Sequence, residues 1–594
     1  MESQKLTNLQ IAELLRDVAA AYQLKDAKGN KFKIVAYERA ADAVEHATSE
    51  LKDLWDDGKL EEVPGIGPSI AEHLSELFKT GKSKHFDEVM KGLPPAMFEF
   101  MKVPGIGAKT AFKLVTQLNI KSMAELEDAA KKGKIADLEG FGQESEADIL
   151  KSVQEERGKK NVVRHLLPYA ESTASLIVNW MMKDSSVKRI DPLGSLRRRA
   201  ATIGDIDLSA ATDKPSEVLE HFTKYPDVQR VLEKGTRTAS ILIPGNIQVD
   251  LMVETPDAYG SLLQHFTGSK HHNIALREIA LKKGFSLSDY GVKKLKGESG
   301  KLMKFATEES LYKFFGMEMI PPELREDTGE IELAREHKLP KLVELEDVKA
   351  DLQIHTNFDI ETSHDLGESS MEDLVKKANE LGYEYIAFTE HNPSQKGHTD
   401  SDIVEILKKK RERVDQLNYS FKKAGNKGVR KVFNSLEIDI LPDGRLPVPE
   451  AGLSTLDFAL VSIHSSFRLD RASQTKRVLA ALSNPKVKIF AHPTGRKLNE
   501  REGAELNWPE IFAFCLKENK WIEINCDPMR LDLPDTLVRE AVKLGVKLTF
   551  GTDSHHKDGL NNMQFGVSVA RRGWAEKKDI INTLSLEDFE KVLQ

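Results

Sequence analysis

VKADLQIHTNFD, residues 348–359, is where the chain changes character. A short apolar run ends there in His355, and six further runs follow: YEYIAFTEH, KVFNSLEID, FALVSIHSS, KVKIFAHP, KWIEINC and VKLTFGTDSHH. Helical stretches such as Met371–Leu381, Ile403–Leu417 and Leu537–Leu544 lie between most of them. Strand–helix alternation of this kind predicts a parallel α/β barrel. Six of the seven runs close on polar groups: His355, Glu390–His391, Glu437, His464, His492, and Asp553 with His555. The C-terminal ends of barrel strands are where functional side chains gather. His, Asp and Glu together suit manganese, zinc or iron. A lone histidine is ordinarily a satisfied structural residue, but six such strand ends in one domain predict a metal basket.

Bulk properties set limits on the rest. A chain of 594 residues is too long for one core, and roughly three to five domains are expected. It is 40% apolar and 30% charged, an ordinary globular composition. No apolar run approaches the roughly 20 residues needed to span a bilayer. The N-terminal MESQKLTNLQIAELL carries acids and is not a secretory signal. With only Cys515 and Cys526, neither a disulfide framework nor a cysteine zinc site is available, and a reducing cytoplasm is the expected compartment. The net charge of −8, from 86 basic and 94 acidic residues, excludes a bulk basic field. Any nucleic-acid binding must rest on local geometry and metals.

The first 160 residues carry apolar residues at helical spacing over Leu9–Tyr22, Phe32–Thr48, Ile70–Phe78 and Ala111–Leu118. Between helices a punctuation recurs: VPGIGPSIA (63–71), VPGIGAKTA (103–111) and LEGFGQESE (138–146). The glycine pairs are Gly65 and Gly67, Gly105 and Gly107, Gly140 and Gly142. Glycine leaves no side chain over the backbone amides, and the helix that follows starts with unpaired N–H groups. Each hairpin is therefore an anion seat that suits a phosphodiester and ignores base identity.

Further along, IDPLGSLRRRA (190–200) precedes TIGDIDLSA (202–210). In a strand, Asp205 and Asp207 share one face while Ile206 and Leu208 share the other. In IQVDLMV, Ile247, Val249, Leu251 and Val253 form the apolar face and Asp250 lies opposite, with Gln248 and Met252. Three carboxylates on adjacent strands repel one another unless they hold divalent cations. They match the two-metal arrangement for phosphoryl or nucleotidyl transfer. Gly194 and Ser195 sit at a turn where backbone amides and a hydroxyl can approach phosphates, with Arg197 and Arg198 available to neutralise charge.

These motifs carry a resemblance. The three hairpins match the helix-hairpin-helix motif of DNA repair proteins. Gly194–Ser195 followed by Asp205-x-Asp207 is a signature of the nucleotidyltransferase superfamily. LLQHFTGSKHHNIALREIA (262–280) resembles the thumb of family X DNA polymerases, and MIPPELREDTGEIELA (319–334) resembles the bacterial family X join to a C-terminal domain. GTDSHH, SIHSSF and AHPTGR resemble the PHP (polymerase and histidinol phosphatase) domain, a metal-dependent phosphoesterase. The resemblance to a bacterial family X DNA polymerase, polymerase beta-like, covers the entire chain.

It implies a multidomain fold with a helical helix-hairpin-helix N-terminal region, an α+β nucleotidyltransferase palm and thumb, and a C-terminal distorted (β/α)7 PHP barrel. The expected boundaries are 1–90 and 91–160 for two helical regions, the first with one hairpin and the second with two. The palm is 161–260, the thumb 261–327, a charged linker 328–347 and the PHP domain 348–594. Asp205, Asp207 and Asp250 would be catalytic and hold Mg²⁺ or Mn²⁺. Gly194, Ser195, Arg198 and Gly204 would bind the triphosphate, with Gly268 in the thumb turn. His265 and Phe266 would bracket the sugar, Asn273 would touch the base or minor groove, and Arg277 would monitor the template side. His265 stands where vertebrate relatives have a tyrosine. The six hairpin glycines would grip DNA backbone.

The implied activity is template-directed filling of short gaps in DNA repair, with a 3′–5′ exonuclease or related phosphodiesterase in the PHP half. The implied partners are gapped or primer-template DNA and dNTPs, with no membrane, for a monomeric bacterial cytoplasmic protein associated with the nucleoid. In the first hairpin region, which with the VAYERAA of Tyr37 resembles the lyase domain of polymerase beta-like enzymes, His73 and Ser69 stand where lysines sit. A histidine cannot form the imine, so the resemblance does not carry lyase chemistry here by that route.

The PHP pattern has two departures. Its opening H-x-H is Gln353-x-His355, and an amide is a weak neutral ligand. Its S-D-G is replaced by IETSHDLGESS, in which Asp365, Asp359 or His364 must stand in for the missing acid. The remaining ligands are His355, His391, Glu437, His464, His492, Asp553 and His555, enough for two ions, or three, of Mn²⁺, Zn²⁺ or Fe²⁺. Arg496 is a candidate phosphate partner or a surface residue. The departures keep open a polymerase whose PHP domain is mainly structural.

Overall fold

The structure is a computed structural model describing residues 8–27, 29–45, 51, 55, 60–63, 65–101, 103, 106–138, 141–142, 146, 149–150, 153, 164–295, 302–424 and 428–594. It divides into two compact units, Met1–Val162 and Val163–Gln594.

The first unit is helical. Asn8–Asp26, Lys31–Glu45, Pro68–Thr80 and Lys84–Met90 pack Leu15, Val18, Tyr37, Leu74 and Phe86 into one core. Pro95–Phe100, Ala108–Leu118 and Met123–Lys131 pack Phe100, Leu114 and Leu126 into a second. All three hairpins close with the same pair of bonds. The residue between the glycines donates to the carbonyl three back, Ile66 to Val63, Ile106 to Val103 and Phe141 to Leu138, each at 3.0 Å. The second glycine then accepts the first helical bond, from Ala71, Ala111 and Glu146 in turn.

The second unit begins with a mixed five-stranded sheet, spatial order Arg189–Pro192, Ile206–Ala211, Ile247–Glu254, Thr238–Ile243, Arg230–Lys234. Its two central strands run parallel, with Asp207 opposite Asp250. Ile247, Val249, Leu251 and Val253 are buried as the alternation predicts, under the helices Leu167–Met181 and Pro215–Phe222. Met252, expected beside Asp250 on the open face, is buried too, because the thumb helix Tyr259–Thr267 covers that end of the strand.

The barrel strands follow, all paired in parallel. KVFNSLEID is two strands, Lys431–Asn434 and Glu437–Asp439, so seven sequence runs become a three-stranded and a five-stranded sheet. Glu437 N–H donates to the Glu390 carbonyl at 3.1 Å across one gap. Asp553 N–H donates to Gln353 O and His355 N–H to Ser554 O, each at 2.9 Å, joining the last strand to the first. The result is a closed, distorted barrel.

Residues 328–347 do not form the free linker expected of their charge. Glu330–Glu336 is a helix whose Ile331 and Ala334 enter the thumb core with Leu276, Tyr312 and Leu324. Glu330 itself is buried, 2.6 Å from His272 Nδ1. Charge misled here because Glu330 is satisfied internally, by His272 and by the backbone N–H groups of Asp327 and Thr328. The barrel helix Met563–Arg572 then packs on the palm and thumb. Arg199 Nε donates to Ser568 Oγ at 3.0 Å, and Arg571 Nε lies 2.8 Å from Glu323.

Candidate functional sites

In the palm, Asp205, Asp207 and Asp250 each place a carboxylate oxygen within 4.8 Å of the others. Burial first, then the Asp205 and Asp250 carboxylates, push Asp207 up to about 7 against the pull of Arg198. Burial also raises Asp250, although Ser240 and Gln248 bond to it. This is the electrostatic signature of a cation site: like charges held together with only Arg198 acting against their repulsion. Gly194 is required beside it. Its φ is +55°, and a Cβ there would overlap the Asp207 carboxylate. Ser195 follows it in the turn, and Gly204 immediately precedes Asp205.

The three arginines after Ser195 do different things. Arg197, expected to neutralise phosphate, is committed to Glu308: its Nη1 lies 3.0 Å from Oε1, which the buried Arg325 also reaches at 2.6 Å. Burial would raise Glu308, but Arg325 and Arg197 outweigh it and bring the acid down to about 2. Arg198 lies close enough to Asp207 to lower it. Its Nε is 3.0 Å from Glu326 Oε1, and its Nη1 donates to the Thr267 carbonyl at 2.6 Å. Arg199 pairs with Glu171.

The thumb turn closes on the same arginine. Gly268 has φ +68°, and a Cβ there would come 3.1 Å from Arg198 Nη1. Ser269 caps the helix Lys270–Lys282. From that helix Asn273 Nδ2 donates to the His265 carbonyl at 2.6 Å, and Arg277 Nη2 lies 3.2 Å from His265 Nδ1. Phe266 packs edge-on to His265, ring centres 4.8 Å apart. His265, Phe266, Asn273 and Arg277 thus form one cluster, with burial and then Arg277 lowering His265.

In the barrel, Glu437 is the hub. It is fully buried, and four imidazoles face it: His492 at 2.7 Å, His355 at 3.3 Å, His464 at 3.4 Å and His391 at 3.7 Å. His355 Nε2 is also 3.1 Å from Asp553. Yet both nitrogens of His355, and Nδ1 of His391 and His492, are buried without a hydrogen-bond partner. His492 Nε2 shares a hydrogen with Glu437 Oε1, but the unpartnered nitrogens of His355 and His391 beside the same carboxylate fit divalent cations. Four overlapping groups result: His355, Glu437 and Asp553; Glu437, His464 and His492; His355, His391 and His555; and His364, His391, Asp439 and His464. All seven expected ligands come together.

Of the three candidates in the following loop, His364 joins them. Its Nε2 lies 2.7 Å from Asp439 Oδ2, while His464 Nδ1 lies 2.7 Å from Oδ1. Asp365, expected as a stand-in ligand, is exposed and joins no group. Asp359 is also exposed and accepts from Glu361 N–H in a local turn. Asp439 was missed, although period-two alternation from Glu437 places it on the same strand face. Gln353 turns its amide to the hub, its Nε2 donating to Glu437 Oε2 at 2.8 Å. Glu390 is not a ligand either, because it pairs with the buried Lys410.

Carboxylate and imidazole compensate here. Burial would raise Glu437, Asp439 and Asp553, but the surrounding histidines hold all three below the usual carboxylate range. Burial would lower His355, but Asp553 and Glu437 push it up to about 10. Arg496 donates to the Arg530 and Leu531 carbonyls and braces a loop rather than meeting a substrate. That loop presents Arg530, whose Nε lies 3.5 Å from Asp553 and which sequence patterning gave no reason to select.

In the hairpins, Gly65 is demanded by the chain: φ is +96° and a Cβ would sit 3.1 Å from the Arg39 carbonyl. Gly67, Gly107 and Gly142 have nothing within 4 Å of a Cβ, so their openness faces whatever binds. Gly67 and Gly107 begin helices with no side-chain cap. Gly105 and Gly140 lie outside the described residues. His73, at the expected lysine position, stacks on His85 with ring centres 4.0 Å apart.

Comparison with known proteins meets this geometry region by region. Residues 6–83 match the helix-hairpin-helix domain and 98–155 the SAM-like helix-hairpin-helix tandem. Residues 262–326 match the DNA polymerase beta thumb and 351–526 the PHP domain. The DNA polymerase/3′-5′ exonuclease PolX of Bacillus subtilis (strain 168) is 33% identical over 98% of this chain and 99% of its own length. The chain belongs to the PolX family. Within PolX, the two halves have separate likenesses. DNA polymerase lambda of Rattus norvegicus is 24% identical over 54% of this chain and 57% of its own length. A probable phosphatase of Caldicellulosiruptor bescii is 24% identical over 38% of this chain and 89% of its own length. Among the described residues no helix is long and apolar enough to cross a membrane.

Proposed function

We propose that this PolX chain is a template-directed DNA polymerase that fills short gaps in DNA repair, coupled to a PHP-domain 3′–5′ exonuclease. The observation that carries the polymerase half is Asp207 facing Asp250 across paired strands, with Asp205 beside them and the Gly194 turn against their carboxylates. In this reading Asp205, Asp207 and Asp250 hold Mg²⁺ or Mn²⁺, and Asp250 helps activate the primer 3′-hydroxyl. Bound ions would lower the pKa of that hydroxyl and steady the triphosphate and the leaving pyrophosphate. Gly194, Ser195, Arg198, Gly204 and Gly268 receive the dNTP phosphates, and the His265–Phe266–Asn273–Arg277 cluster receives the sugar and base.

The barrel residues His355, His364, His391, Glu437, Asp439, His464, His492, Asp553 and His555 hold two or three ions of Mn²⁺, Zn²⁺ or Fe²⁺. Gly67, Gly107 and Gly142 present backbone amides to DNA phosphates. The boundaries that accompany this reading are those expected from sequence, with 328–347 belonging to the thumb and its seam. A monomer working in the bacterial cytoplasm on gapped or primer-template DNA fits this set. Primer extension on a gapped duplex tests the polymerase, and no incorporation by the native chain would sink it.

A second reading, a PHP domain that is mainly structural, draws on Gln353, whose amide occupies Glu437 Oε2 where an imidazole would ligate. Exonuclease rates in Mn²⁺ for the native chain and His464→Ala separate the two. Equal rates would show that the basket is not the nuclease.

A further inference from the structure

The turn that the proposed function assigns to the triphosphate is held from outside the polymerase half. Arg572, the last residue of the barrel helix Met563–Arg572, has a side chain only 12% exposed. Its Nη1 donates to the backbone carbonyl of Arg198 at 2.9 Å and lies 3.0 Å from Glu326 Oε1. That same oxygen is 3.0 Å from Arg198 Nε. Asp535, on the neighbouring barrel helix Asp535–Leu544, takes Arg572 Nε at 2.7 Å. One turn earlier, Ser568 accepts from Arg199. The barrel therefore grips both the backbone and the side-chain partner of Arg198. Arg198 in turn reaches the Thr267 carbonyl, next to Gly268 of the thumb turn.

We propose that Arg572 of the PHP domain is a positioning residue for nucleotide binding by the polymerase, acting through Glu326 to set the orientation of Arg198. A guanidinium is a planar fork that binds two groups at fixed angles. Shared between Arg198 and Arg572, Glu326 can neither follow nor release Arg198 while Arg572 and Asp535 hold it. Freed of that brace, Arg198 would swing toward the three palm carboxylates. Outer partners of this kind set the geometry of groups that touch the ligand. The inference rests on the assignment of Arg198 to the triphosphate.

The test is steady-state gap filling by the full chain with Arg572→Ala, Glu326→Gln, their double variant and Arg198→Ala. Exonuclease rate and melting temperature are measured alongside. Loss of one hydrogen bond to a charged group predicts that the dNTP KM rises about tenfold in Arg572→Ala and in Glu326→Gln. We expect kcat and exonuclease rate to stay near native, and the double variant to be no worse than either single. Arg198→Ala raises KM at least as far. KM unchanged in both single variants while Arg198→Ala raises it overturns the inference, as does additivity in the double variant. Loss of both activities with a lowered melting temperature overturns it too, in favour of a purely structural role. An unchanged KM in Arg198→Ala removes the underlying assignment, and the inference with it. Should Arg572→Ala not fold, Glu326→Gln decides alone, because it leaves the Arg572–Asp535 pair intact.

Discussion

The palm and the barrel solve opposite electrostatic problems. The palm gathers three carboxylates with no imidazole, and Asp207 rises to about 7 as a result. The barrel gathers six imidazoles around three carboxylates; Asp553 and Glu437 push His355 up to about 10, while burial and the neighbouring histidines pull His391 down to about 3. The palm is complete only when ions arrive, which suits ions delivered with a triphosphate. The barrel supplies part of its own counter-charge, through His355 between Glu437 and Asp553.

The comparison breaks most readily at its two hubs. Metal-held charge stabilisation supplies several kcal/mol, so losing it costs about a thousandfold in rate. Asp207→Asn should lose incorporation by that factor and keep exonuclease activity. Glu437→Gln should do the reverse. Elemental analysis after gel filtration sharpens the contrast, with Glu437→Gln losing transition metal that Asp207→Asn retains. If either substitution removed both activities, the sites would not be independent.

Beside the palm turn, at Arg197, lies a charge cluster that needs no ion. Glu308 is held to about 2 by Arg325 and Arg197. Its folded pKa is depressed, so its contribution to stability is present above the unfolded value near 4.5. That contribution is lost as pH falls from there toward 2. Glu308→Gln breaks a buried pair and should cost about 3 kcal/mol at pH 7, read by denaturant unfolding, with the difference from native shrinking below pH 4. A loss that stayed constant across that window would show that packing, not charge, sets it.

The loop after the first barrel strand gives a smaller effect. His364→Ala should lower exonuclease activity about tenfold, and Asp365→Ala should leave it within twofold. The reverse order would return the ligand to the aspartate.

That pair also shows what was legible in the sequence. The seven expected barrel ligands sit at strand ends, where alternation fixes which face a residue takes, and the structure brings all of them together. The His364–Asp365 choice lies in an irregular loop, where periodicity says nothing about direction, and the neighbouring residue won. Asp439 is legible, because period-two alternation from Glu437 puts it on the same strand face. Arg197 and Arg198 are adjacent and identical in chemistry. Only their partners, Glu308 more than 100 positions away and Glu326, separate a structural cation from one facing the acids. The linker failed for the same reason, since Glu330 is buried by contacts that composition does not reveal.

The hairpin glycines carry the same distinction, between what the chain satisfies and what it leaves for a ligand, to its smallest measurable scale. Gly65 answers to the chain, through a φ of +96° and the nearby Arg39 carbonyl. Gly65→Ala should therefore lower stability by about 1 kcal/mol. Gly67 answers to nothing within 4 Å, and its φ of −82° suits alanine. Gly67→Ala should fold as well as native, yet place a methyl over the amides that begin the helix. With about one hydrogen bond to phosphate lost, binding to gapped DNA should weaken about fivefold. The slope of log affinity against log salt should not change, because no cation is removed. Undiminished binding by Gly67→Ala would mean that this hairpin does not hold the backbone, whatever the palm does.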